Sequence, residues 1–155
     1  MTSKSVSAFT SADLSSVVAV WQEHLRQYND RMIIMPKNAG GLFGFLTKAR
    51  QLQAQIFPAA DGGTLLNLVY RQSRIMSDLF AEHGVVLPPK ATIVGKGSNS
   101  GASVQVGVIR IPPQVPVETI LTFVLQALGA LSEKPIGEVF TANAERMRDT
   151  PQMHG

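Results

Sequence analysis

The stretch ATIVGKGSNSGASVQVGVIRIPP, residues 91–113, decides how this chain is read. Two runs rich in valine and isoleucine flank a centre of glycine and serine. Proline pairs fence the stretch, with Pro88 and Pro89 before it and Pro112 and Pro113 at its end. β-Branched residues suit a pleated surface and proline cannot donate to a ladder, so the pattern predicts a β-hairpin with a glycine-rich tip. Val104, Val106 and Val108 share one face of the second run, whereas Ile109 and Ile111 point to the other. Two strands alone are marginal in water and their edges invite pairing. The sequence GVVL, residues 84–87, or a second copy of the chain is expected to supply a further strand.

The tip does not read as a phosphate cradle. A P-loop places its lysine at the end of the glycine loop, followed directly by a hydroxyl residue that opens a helix. Here Lys96 comes early, between Gly95 and Gly97, and the residues after Gly101 alternate like a strand. A dinucleotide fingerprint fails for the same reason. The hydrolase elbow fails because the centre of GSNSG is Asn99. The segment is expected to be a long, flexible hairpin tip.

Upstream of the hairpin, spacing predicts three helices. Leu14, Val18, Trp21, Leu25, Tyr28 and Met32 recur at steps of three and four, with Thr10 and Asp13 as a capping box and Pro36 as the stop. A second helix is predicted over residues 42–57. A third, capped by Thr64, is predicted over residues 65–84, with Gly84 as its stop and an exposed Arg74–Asp78 ion pair. Downstream, VETILTFVLQALGAL, residues 117–131, predicts an apolar helix after Pro116, and residues 135–148 predict a last one, capped by Ser132. The expected fold class is therefore α+β: three N-terminal helices, a β-hairpin or small antiparallel sheet, and two C-terminal helices. One domain is expected over residues 11–149, with residues 1–10 and 150–155 flexible.

Composition excludes several chemistries. The 155 residues contain no cysteine, which removes disulfides, thiolate metal sites and cysteine nucleophiles and fits a reducing, cytoplasmic setting. No secretory signal is legible in MTSKSVSAFTSADL, and the 117–131 segment is short of a bilayer span and carries Glu118 and Gln126. His24, His83 and His154 lack ligand partners at metal-site spacing, so no metal is expected. His24, beside Glu23 on an amphipathic helix, reads as a solvated surface residue. The acidic residues sit at helix starts or beside arginines, so no catalytic dyad and no cofactor site are nominated and the chain leans away from an enzyme.

Two surfaces remain. The apolar positions of residues 117–131 wrap more than one stripe, so that helix is either the centre of the core or packs one flank on a neighbouring subunit. Ile120, Phe123, Val124, Ala127, Val104 and Val106 are accordingly the candidate protein interface. The expected function is a non-enzymatic interaction module, an adaptor, chaperone-like or assembly protein that pairs with itself and with another protein. The alternative is an accessory nucleic-acid binder. Residues 31–110 hold nine Lys or Arg against three acids in a chain of net charge +3, which nominates Arg71, Arg74, Lys90, Lys96 and Arg110 as phosphate contacts.

Overall fold

Alternation of buried and half-exposed residues, not helical stripes, governs most of the chain. The computed structural model describes residues 4–37, 52–98 and 104–146. Seven strands form one antiparallel sheet: β1 (Ser5–Phe9), β2 (Arg31–Pro36), β3 (Gln53–Pro58), β4 (Thr64–Arg71), β5 (Thr92–Ser98), β6 (Val104–Ile111) and β7 (Phe140–Glu145). Their order across the sheet is β1-β7-β2-β3-β4-β6-β5. The three helices among the described residues are α1 (Ser15–Val20), which runs on as a π-helical turn over Trp21–Leu25, α2 (Met76–His83) and α3 (Val117–Leu131).

This corrects the expected α+β arrangement of five helices around a lone hairpin. The first predicted helix stops early: Asn29 takes a left-handed φ of 58° and residues 31–36 alternate buried and half-buried as β2. The second predicted helix yields β3 over its last residues, and its earlier part, residues 42–51, lies outside the described residues. The third divides. Thr64, Leu66, Leu68 and Tyr70 face inward from β4, and only residues 76–83 are helical, closed by Gly84 at φ 70°. The last predicted helix is β7, inserted between β1 and β2. The stretch 1–10, expected to be flexible, contributes edge strand β1, whereas residues 147–155 are not among those described.

The predicted hairpin is present as β5 and β6, but β6 also pairs along its whole length with β4, Thr64 opposite Ile111 through Arg71 opposite Val104. The hairpin is thus one end of a large sheet. α3 has the predicted bounds, and ten of its fifteen residues are buried.

All three helices cover one face of the sheet. Ladder partners share a face, and the buried set Ala142, Ile34, Ala54, Leu68 and Ile109 with its neighbours joins Val17, Trp21, Leu25, Met76, Phe80 and the α3 side chains in one cluster. Each fully buried leucine, isoleucine or phenylalanine contributes roughly 1.5–3 kcal/mol. Two glycines set the close approaches. A Cβ on Gly107 would occupy the place of the Met76 side chain, and one on Gly63 would strike the carbonyl oxygen of Ile111. At the far end of the same face, Gln72 donates to the Leu131 carbonyl at 3.0 Å, which ties the end of β4 to the end of α3, and Tyr70 donates to the Arg74 carbonyl at 3.1 Å ahead of α2.

The opposite face carries Ile33, Phe57, Leu65, Val69 and Val108, partly buried, alternating with Gln55, Asn67 and Asn143. Arg31 and Glu145 pair across it at 3.0 Å.

Candidate functional site

The two sheet edges differ in chemistry. Edge β1 presents Ser5, Ser7 and Ala8 as its exposed residues. Edge β5 presents Ile93 at 42% and Val94 at 54% exposure. Such side chains are uncommon on an open edge, because unpaired backbone groups beside apolar surface form a template for another strand. The turn ahead of β5 follows from its sequence: Pro88 accepts from the Ala91 amide at 3.0 Å, and Lys90 takes a left-handed φ of 62°. The pairing with β6 shifts register between Ile93 and Gly95, so Val94 is the additional residue of a bulge.

Ile75, 46% exposed, stands at the N-cap of α2 next to this edge. It lines, with Tyr70, Met76, Ile93, Gly95 and Gly107, a notch of about 40 Å³. Three exposed aliphatic side chains, a strand edge with no further partner strand among the described residues and a small notch thus lie together. Burial of Tyr70 beneath the notch pushes its phenol above the ordinary value.

The residues nominated from sequence are placed elsewhere. Ile120, Phe123, Val124 and Ala127 are buried in the chain's own core, with Phe123 edge-on to Phe80 at 5.7 Å. Of the two readings of that helix, the central one matches this burial. Val106 is half-buried on the open sheet face, and Val104 is buried. Ile75 and Val94 escaped nomination because exposure at an edge depends on which strand is outermost. The one local signal was the pair of neighbouring apolar residues Ile93 and Val94, which cannot both face inward from a regular strand.

The basic residues do not gather. Arg110 pairs with Asp61 at 2.6 Å and Arg74 pairs with Glu82, not with Asp78 as its spacing predicted. Arg71 lies six residues along β4 from the position opposite Arg110, about 20 Å away on the strand repeat. Lys90 is exposed on the turn before β5, and the side chain of Lys96 is outside the described set. Arg71 and Arg110 share the open sheet face but stand toward opposite ends of β4.

His24 is the other correction. It is 5% exposed, not solvated, and its Nδ1 lies 3.4 Å from Oδ2 of Asp30, itself 2% exposed. The π-helical turn brings this about. His24 faces the core with Trp21 and Leu25, and its carbonyl accepts the amides of both Tyr28 and Asp30, which folds the chain back over the helix end. Among the described residues no group of three His, Cys, Asp or Glu could hold a metal ion, and no helix is long and apolar enough to cross a membrane.

No family model, curated protein or solved structure matches the chain.

Proposed function

We propose that this chain is a protein–protein interaction module that works by strand addition at β5, first with a second copy of itself and then as an adaptor or assembly protein for another partner. One observation carries the reading: among the described residues β5 is an open edge with exposed Ile93 and Val94, flanked by exposed Ile75, whereas the other edge exposes only small serine and alanine side chains. A strand added there would take up unused backbone groups and cover three aliphatic side chains at once, the mode by which edges recruit peptides. A second copy is the first occupant because a two-fold axis lets one antiparallel edge meet itself, and two-fold dimers are the commonest closed assembly. The absence of cysteine supports a reducing, cytoplasmic setting for it. Arg74 and Arg110 are ion-paired and Arg71 stands about 20 Å along the strand repeat from Arg110, which gives no support to the nucleic-acid alternative.

The test is light scattering on a gel-filtration column at low and high salt, with and without nonspecific DNA, on the full chain and on the Ile93→Lys/Val94→Lys double variant. Both replaced residues are exposed, so the variant is expected to keep native circular dichroism. The wild type is expected to run as a dimer or larger that persists in high salt, since apolar association does not weaken there, and the variant as a monomer. A wild-type monomer at every concentration, or a variant that associates like the wild type, overturns the reading. Binding to DNA that falls steeply with salt would replace it with the nucleic-acid one.

A further inference from the structure

A second site lies away from the β5 edge, between the π-helical end of α1 and the β3–β4 turn. A cavity of about 290 Å³ opens there, with Trp21, Leu25 and Pro58 as apolar lining and Arg26, Asn29 and Thr64 as polar lining. This is the small end of the range of ligand pockets, which combine apolar walls with a few polar groups.

The hydrogen bonds around this cavity divide into two sets. The β3–β4 turn has spent its own: the Gly62 amide donates to Ala59 at 3.0 Å, the Ala59 amide to Gly63 at 2.9 Å and the Gly63 amide to Oδ1 of Asp61 at 2.8 Å. Asp61 is further neutralised by Arg110. The side chains of Trp21, Arg26, Asn29 and Thr64, by contrast, make no hydrogen bond or ion pair among the described residues. Two of these four are deeply buried, Trp21 at 3% and Thr64 at 6% exposure. Neither donor is sealed off from solvent, so the indole N–H and the hydroxyl are open to water or to an acceptor that enters the cavity.

The sign of that acceptor follows from charge. Among the described residues Arg26 is the only formally charged one lining the cavity, since the nearby Asp30 is turned into the core against His24. The α1 end contributes a weak negative potential against an anion, and a direct guanidinium contact exceeds it. One guanidinium with neutral donors suits a single negative charge. The Trp21 and Leu25 walls suit an apolar body.

We propose that this cavity binds a small organic carboxylate, with the carboxylate on Arg26 and Thr64 and the apolar body against Trp21. Trp21 is the only tryptophan of the chain, so its fluorescence reports on this site alone. The full chain is titrated with benzoate and hexanoate as probes, with benzyl alcohol as the uncharged body and inorganic phosphate as the bare anion. A saturable change in Trp21 emission is expected with at least one carboxylate, weakened about tenfold in Arg26→Gln and in the isosteric Thr64→Val, each checked for native circular dichroism. Benzyl alcohol and phosphate are expected to bind more weakly than the carboxylate. No saturable change with either carboxylate, or unchanged affinity in Arg26→Gln, removes the site. Phosphate binding tighter than both carboxylates overturns the ligand class. None of these readouts depends on β5 pairing.

Discussion

The thioether of Met76 lies over Gly107, in the space that a Cβ on that residue would take. α2 therefore rests on β6 only because position 107 has no side chain, and this contact forms the floor of the notch beside Ile75 and Ile93. Gly107→Val is expected to destabilise the chain by about 1–3 kcal/mol through overpacking. In a Met76→Ala background the same change fills vacated space on a strand and is expected to turn stabilising. Urea unfolding of the four chains gives the coupling. Equal effects in both backgrounds would show that Met76 does not occupy the site above Gly107.

Asp61 ties the β3–β4 turn to β6. The Gly63 amide, and then the Arg110 guanidinium, hold its carboxyl below the ordinary value of 3.8. A folded-state value lower than the unfolded one means that the contribution is present above the unfolded value and is lost as pH falls through the folded one. Stability measured by urea from neutral pH down through the range below 3.8 is therefore expected to fall less steeply in Asp61→Asn than in the wild type. Parallel curves would remove Asp61 from the acid response.

Phe123 separates core from interface. It is 3% exposed and packs edge-on against Phe80, so Phe123→Ala is expected to cost about 3–5 kcal/mol of folding stability. Whatever remains folded is expected to keep the oligomeric mass of the wild type, read by light scattering. A well-folded variant with altered mass would instead place α3 at a subunit contact.

The strands misread as helix share one cause. In LLNLVYR the leucines at 65 and 66 and Val69 fit a helical stripe as well as Leu66, Leu68 and Tyr70 fit alternation. β2 has apolar residues on both faces, Met32 and Ile34 inward and Ile33 and Met35 outward, so its run shows no clean alternation at all. β7 is the extreme case. Its alanines at 142 and 144 favour helix in isolation, yet they are strand because Ser5 pairs with Asn143 on one side and Arg31 with Glu145 on the other. Propensity is worth tenths of a kcal/mol per residue, and a ladder bonded on both sides with one face buried outweighs it.

The candidate sites divide in the same way. The hairpin could be nominated as a pairing element from its valine and isoleucine content, but not which of its strands is outermost. The cavity on Trp21, Arg26, Asn29 and Thr64 could not, because Thr64 lies 35 residues or more beyond the others and its apparent role was a helix cap.

By itself the sequence determined α3, the β5–β6 hairpin and the Gly84 stop, because each depends on residues within about twenty positions whose apolar pattern or backbone freedom admits one local solution. Only the tertiary structure decided the other strands, the burial of His24 against Asp30 and the outermost place of β5. The strand order depends on hydrogen bonds between segments as distant as Ser5 and Asn143, which no local window contains, and His24 is buried by the core around Trp21 and Leu25 although Asp30 is only six residues on.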